Sequence, residues 1–302
     1  MSIKDLVEGE ELLLPGNAAC AGCGLTGCLR LFLKILGQRT ILVDPAGCIA
    51  IVQSPYPHSS FGVITINSAF ETAAATASGI ASALEMRGLD DVTVLAWAGD
   101  GATFDIGLQA LSSVADRNDN ILYVCYDNES YMNTGIQASG ATPYGAWTTT
   151  TPLGKRRHKK DILGIMMAHN IPYAASASPS FPVDLLKKVT KAKGIRGTRF
   201  FHLLAPCPTG WRFPSNLTIK LGRLAVETGM WILYEYHDDQ LTLTGPSRYI
   251  AEGKLKRKPV ADYLSPQGRF SNLSDADAEE VQTWVDQRWE ELKNLAGRPK
   301  NH

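Results

Sequence analysis

Val92-Thr93-Val94-Leu95-Ala96-Trp97-Ala98 runs directly into Gly99-Asp100-Gly101, and this junction decides the fold. The run before the glycine is almost wholly apolar, as in a strand buried on both faces of a parallel sheet. Phe104, Leu108, Leu111 and Val114 then recur along one face of a predicted helix. A strand that ends in a glycine turn and opens a helix presents backbone N–H groups to phosphate oxygens. Asp100 adds a carboxylate oxygen of the kind Mg²⁺ takes. A second apolar run, Asn120-Ile121-Leu122-Tyr123-Val124-Cys125-Tyr126, ends in Asp127-Asn128-Glu129. Asn128 stands 28 residues after Asp100, one helix and one strand further on. Both side chains therefore emerge at the same carboxyl edge of a parallel sheet, where open α/β folds bind ligands. Gly-Asp-Gly alone also reads as a βα turn with an N-cap aspartate; the second polar strand end moves the reading to a metal–diphosphate clamp.

Four cysteines form a second constellation. Cys20-Ala21-Gly22-Cys23 is a chelating pair in a glycine-punctuated loop before a predicted helix, Leu25 to Leu36. Cys48 follows the strand Thr40 to Asp44, and Cys207 follows the strand Phe200 to Ala205. All four are expected in loops beside strands or helices, where they can converge. Four thiolates suit zinc or a [4Fe–4S] cluster, and the spacing does not choose between them; taken singly, Cys48 and Cys207 also read as small buried hydrophobes. Cys28 and Cys125 fall inside a helix and a strand and read as core thiols.

Gly99-Asp100-Gly101 followed by Asn128 resembles the thiamine diphosphate motif, and Asp127-Asn128-Glu129-Ser130-Tyr131-Met132-Asn133-Thr134-Gly135 resembles its form in the 2-oxoacid oxidoreductases of the pyruvate:ferredoxin type. Cys20-Ala21-Gly22-Cys23-Gly24, Gly47-Cys48 and Pro206-Cys207-Pro208-Thr209-Gly210-Trp211-Arg212 look like the cysteine motifs of the β subunits of the four-subunit enzymes. The resemblance runs from about Gly16 to Phe270 and looks closest to the pyruvate branch. It departs at Ala46, where threonine is expected, and over Phe61 to Asn67, where tryptophan is expected; the second departure weakens the substrate assignment.

The resemblance implies an α/β, thiamine-diphosphate-binding domain, with a mostly parallel sheet flanked by helices, over residues 1–212. A C-terminal extension for subunit contacts would occupy 213–302. It implies thiamine diphosphate and Mg²⁺ on Gly99, Asp100, Gly101, Asn128, Ser130, Asn133 and Thr134. Asp100, Asn128 and the Ser130 carbonyl would be the metal ligands, and Asn133 would face the reacting carbons. A [4Fe–4S] cluster would sit on Cys20, Cys23, Cys48 and Cys207. The reaction would be oxidative decarboxylation of a 2-oxoacid to an acyl-coenzyme A, with pyruvate the first choice and phenylglyoxylate or another 2-oxoacid open. Thiamine enzymes take an activating glutamate from a pyrimidine-binding domain for which 302 residues leave no room. An α-type partner carrying it is therefore expected, with γ- and δ-type partners bearing further clusters and ferredoxin or another acceptor beyond. Two other classes stay open: a non-redox thiamine lyase or synthase with structural zinc, and a non-catalytic assembly subunit.

The remaining features are less specific. Lys+Arg and Asp+Glu balance at 30 each, so no global field draws the chain to nucleic acid or an anionic membrane. No apolar run reaches the roughly 18 residues of a membrane helix, and Met1 to Glu11 is acidic without a secretory core, so the cytoplasm is expected. The alanine-rich stretch Ser68 to Met86 reads as a core helix or a subunit contact. Lys155-Arg156-Arg157-His158-Lys159-Lys160 reads as a solvated loop, or as a contact to coenzyme A phosphates or an acidic partner. Trp231 to Tyr236 and Gln240 to Thr244 flank Asp238-Asp239 as a predicted hairpin, and a final helix is expected over Asp275 to Leu295.

Overall fold

Two apolar faces, alternating residue by residue, build the sheet. In the computed structural model, which describes residues 9–297, Leu95 and Trp97 of one strand pack into one core layer while Val94, Ala96 and Ala98 pack into the other. The next strand repeats the alternation, with Leu122, Val124 and Tyr126 on the first face and Tyr123 and Cys125 on the second. Side chains of successive strand residues point to opposite faces, so a strand apolar at every position demands cover on both sides.

The elements alternate accordingly. They run α1 (Gly24–Leu36), β1 (Thr40–Pro45), α2 (Cys48–Gln53), β2 (Ile64–Ser68), α3 (Ala73–Met86), β3 (Thr93–Gly99), a π-helical turn (Gly101–Ile106), α4 (Leu108–Asp116) and β4 (Leu122–Asp127). Then come α5 (Ile162–Ala168), β5 (Tyr173–Ala177), α6 (Pro182–Lys193), β6 (Arg199–Leu204), α7 (Pro208–Trp211) and α8 (Thr218–Thr228). The strands β7 (Tyr234–His237) and β8 (Gln240–Leu243) form the predicted hairpin, and α9 (Gly245–Ala251), α10 (Ala261–Leu264) and α11 (Asp275–Ala296) follow. Helices α1, α2 and α6 cover one face; α3, α4, α5 and α11 cover the other.

The eight strands form one sheet in the order β2-β1-β3-β4-β6-β5-β7-β8. β1 to β6 pair in parallel, and β7 joins β5 antiparallel with β8 outside it. This is the expected mostly parallel sheet flanked by helices. From β1 the chain steps outward to β2 and then returns to place β3 on the other side of β1. The carboxyl ends of β1 and β3 therefore flank a topological switch point, the place where such sheets open a ligand crevice.

Three features differ from expectation. Cys48 opens α2 and is helical, whereas Cys20, Cys23 and Cys207 lie in loops as expected, the last two as the N-cap residues of α1 and α7. The expected helix after Gly101 begins as a π-helical turn. Past residue 213 the chain is built into the main sheet through β7, and a third core layer joins Trp211, Leu221, Tyr263, Phe270 and Val285. No helix among the described residues is long and apolar enough to cross a membrane; Met1 to Glu8, part of the stretch read as lacking a secretory core, lie outside the described residues.

Candidate functional site

β3 delivers Gly99-Asp100-Gly101 to the crevice, and β4 delivers Asn128 and Ser130 beside it. Gly99, Asp100, Gly101, Asn128, Ser130, Asn133 and Thr134 all line a single cavity of about 270 Å³. Ala46, Gly47 and Cys48 from the end of β1 close its other side. All seven residues predicted for the cofactor are thus brought together.

Packing leaves no room for a side chain at Gly101 and little at Gly99. A Cβ on Gly101 would stand 2.6 Å from the Tyr131 ring, and one on Gly99 3.3 Å from the Tyr126 ring. The Tyr131 hydroxyl donates to Asp105 at 3.0 Å, and Asp105 also takes the Gly140 amide at 2.9 Å and the Lys160 ammonium at 2.7 Å. The polar loop after β4 is tied by these bonds to the π-helical turn after β3.

The clamp carboxyl is buried. Asp100 is 1% exposed; burial first, then the charge of Asp127, push its carboxyl well above the usual range. One oxygen of Asp100 accepts from the Ser139 hydroxyl at 2.5 Å. The other faces the Asn128 side-chain amide at 3.1 Å, and that same amide atom lies 2.9 Å from the Ser130 carbonyl. Turned one way, the amide nitrogen would donate to both oxygens. Turned the other, three oxygens converge with no proton among them, a donor set suited to a hard divalent ion. The predicted Mg²⁺ ligands fit that group.

Cys20, Cys23, Cys48 and Cys207 line a second cavity of about 200 Å³. Its walls share Cys48, Asn128, Met132 and Asn133 with the first. Among the described residues no three of His, Cys, Asp and Glu are gathered to hold a single ion; four thiolates around one cavity are a donor set for zinc or for an iron–sulfur cluster. Burial pushes the Cys48 thiol up to about 12 and the Cys207 thiol to about 11, and raises Cys23. Without a metal these sulfurs hold their protons; a cationic centre would displace them. The two cavities are mechanically joined: the Trp211 indole donates to the Asn128 carbonyl at 2.8 Å, and a Cβ on Gly210 would collide with the Met132 sulfur.

Behind the cavities lies a charged cluster that the sequence reading missed. Asp127 shares a 2.8 Å hydrogen bond with His202 and stands 3.5 Å from Lys159. Burial opposes its charge, but Lys159 and His202 outweigh that and hold the Asp127 carboxyl below the usual range. Burial keeps His202 neutral by lowering its pKa. Glu129 takes Lys159 at 2.7 Å and Arg269 at 2.6 Å. Glu129 was the one signal available, a third polar residue after Asp127-Asn128; its partners lie 30 and 140 residues away.

The basic run is a loop, as expected, with Arg156, Arg157 and Lys160 exposed, but several of its charges have partners. Lys155 donates to the Ser139 and Thr142 carbonyls at 3.0 and 2.7 Å. Arg156 pairs with Asp277, His158 with Glu280 and Lys160 with Asp105. The His158 ring stacks between Tyr144 and Trp284. The run laces the polar loop to α11.

A protein-family model described as the C-terminal TPP binding domain of thiamine pyrophosphate enzymes matches residues 45–203, from the end of β1 to β6. The pyruvate synthase subunit PorB of Methanothermobacter thermautotrophicus is 50% identical, covering 94% of this chain and 98% of its own. The ketoisovalerate oxidoreductase subunit VorB of Pyrococcus abyssi is 48% identical, covering 95% and 94%. The fold is shared with a chain of a 2-oxoglutarate:ferredoxin oxidoreductase from Magnetococcus marinus, at a TM-score of 0.58 and 20% identity over 74% of this chain and 81% of that one. A diphosphate crevice at the switch point, backed by these similarities, places the chain in the thiamine pyrophosphate enzyme family, among the β-type subunits of the 2-oxoacid oxidoreductases to which PorB and VorB belong.

Proposed function

We propose that the chain is the cofactor-bearing β subunit of a coenzyme A-dependent 2-oxoacid:ferredoxin oxidoreductase. The observation that carries this is the common wall: Cys48, Asn128, Met132 and Asn133 line both the diphosphate cavity and the cysteine cavity. A redox centre on the cysteines would lie one side chain away from the thiamine. When bound, thiamine diphosphate supplies the electron sink for decarboxylation of a 2-oxoacid, and the cluster accepts electrons singly.

The chain's own residues hold and orient. Asp100, Asn128 and the Ser130 carbonyl hold Mg²⁺. Ser139 keeps the Asp100 carboxylate turned to the metal, and Gly99 and Gly101 leave room for the Tyr126 and Tyr131 rings that floor the site. Asn133 and Thr134 line the diphosphate cavity and Asn133 also lines the cysteine cavity, with Asn133 placed against the reacting carbons. Cys20, Cys23, Cys48 and Cys207 carry the [4Fe–4S] cluster. The described residues form one sheet with one diphosphate half-site; the activating glutamate comes from an α-type partner with a pyrimidine-binding domain, and γ- and δ-type partners with further clusters lead the electrons away. Pyruvate is the first substrate, since PorB is a pyruvate synthase subunit; the ketoisovalerate oxidoreductase VorB, almost equally similar, makes a branched 2-oxoacid the second.

The test is anaerobic purification of the native complex, with iron, sulfide and thiamine counted per copy of this chain and electron paramagnetic resonance recorded after each 2-oxoacid. One thiamine, about four irons on this chain's cysteines and substrate-dependent cluster reduction are expected. Zinc in place of iron, with thiamine present and no reducible centre, would overturn the redox reading in favour of a lyase.

A further inference from the structure

The clamp is held from behind by a residue of the C-terminal third. Glu129 lies between the two clamp residues Asn128 and Ser130, is 3% exposed, and has its backbone in the left-handed region at φ 66°. A non-glycine residue keeps that conformation only where its surroundings insist on it. The turn at Glu129 brings the Ser130 carbonyl round to within 2.9 Å of the Asn128 amide, so the geometry of the oxygen set depends on it.

Three groups insist. Thr142 donates its hydroxyl to the Glu129 carbonyl at 2.7 Å. Lys159 donates to one carboxylate oxygen at 2.7 Å. Arg269 stands 2.6 Å from the other oxygen, close in charge contact though outside hydrogen-bond alignment. Arg269 is itself fixed: it stacks on the Trp211 ring at 3.9 Å, donates to Gln267 at 2.9 Å, and its carbonyl takes the Trp147 amide at 2.8 Å. Trp211 in turn bonds the Asn128 carbonyl. Arg269 therefore reaches both sides of the clamp, one through Glu129 and the other through Trp211.

We infer that Arg269 and Glu129 are a positioning pair that sets the Mg²⁺ affinity of the diphosphate clamp, so that the segment after α10 is part of the cofactor site. The inference rests on the clamp reading given under Proposed function. Neither side chain lines the cofactor cavity; both act through the backbone between Asn128 and Ser130. Residues that orient metal ligands in this way commonly change metal affinity 10–100-fold when lost.

The experiment titrates Mg²⁺ into the purified, metal-stripped complex at fixed thiamine diphosphate and reads bound thiamine, alongside thermal stability. Arg269→Met and Glu129→Gln are each expected to raise the half-saturating Mg²⁺ concentration about tenfold or more. The double variant is expected to be no worse than the weaker single, the signature of one coupled unit. Arg269→Lys, which keeps the charge, should recover most of the affinity. Val189→Ala, a core change in α6 outside the layer that holds Trp211, should lower the melting temperature without moving the Mg²⁺ titration. Should Arg269→Met not fold, Glu129→Gln still decides. Folded Arg269→Met or Glu129→Gln that titrates like the wild type, or like Val189→Ala, would overturn the pair. A wild-type complex with no Mg²⁺-dependent thiamine binding would instead sink the clamp itself.

Discussion

The two cavities share a wall but are built on opposite principles. Around the diphosphate cavity the polar atoms are buried and already organised: Asp100, Asn128 and Ser130 are 1%, 7% and 4% exposed, and Ser139, Trp211 and the Glu129 turn hold them. Around the second cavity Cys20 is exposed and Cys23, Cys48 and Cys207 are half-buried, with thiols that burial keeps protonated. The difference teaches which cavity the fold completes by itself. Strand ends set the oxygens of the first in place, whereas a metal centre on the cysteines, as proposed, would have to draw three separate chain segments together.

The largest effect is expected at the clamp. Asp100→Ala should abolish Mg²⁺-dependent thiamine binding and cut turnover of the complex by roughly 10²–10³-fold, the scale of losing a preorganised electrostatic contact. Iron content should stay intact. Loss of both centres together would break the distinction between the cavities.

Next comes the cysteine side. Cys23→Ser should empty the cluster and lower hydrogen-exchange protection of residues 18–24 and 206–211 about tenfold, while the clamp still binds thiamine diphosphate. Equal loss of protection along β3 and β4 would show that the cluster also organises the clamp.

A smaller effect tests the loop that joins clamp and basic run. Lys155→Met leaves the Ser139 and Thr142 carbonyls without their ammonium donor and should cost about 2 kcal/mol, read as a melting temperature lower by about 5 °C. An unchanged melting temperature would mean that water replaces the ammonium.

The smallest effect is pH-dependent. Asp44 is fully buried at the end of β1 with one oxygen unpartnered, and burial pushes its carboxyl from 3.8 up to about 7. Between those values the folded chain keeps a proton that the unfolded chain releases, so Asp44 lowers stability as pH rises from about 4 to about 7. Asp44→Asn should therefore raise the melting temperature at pH 8 by roughly 3 °C and change little near pH 4. A constant difference at both pH values would refute this protonation.

Much of the fold was legible because burial leaves a period in the chain. Strands β1, β3, β4 and β6 read correctly from near-continuous apolar runs, and the helix Asp275 to Leu295 was found within one residue of α11. β2 went unseen as a strand because it is an edge strand with Ile64 at 64% exposure, so little apolar pattern marks it. The basic run was legible as a loop but not in its pairings, for a related reason. Sequence shows the sign of a charge but not its partner, and the acids that neutralise these residues come from around 105, 129 and 280.

By itself, then, the sequence determined which polar residues and cysteines follow the ends of β1, β3, β4 and β6, since a doubly buried strand must end in the polar residues that follow it. Tertiary structure alone decided that the cysteine cavity and the diphosphate cavity share Cys48, Asn128, Met132 and Asn133, and that Arg269 braces Glu129. Those are contacts between residues far apart in the chain, and no local period encodes a meeting that only the packing of the whole sheet brings about.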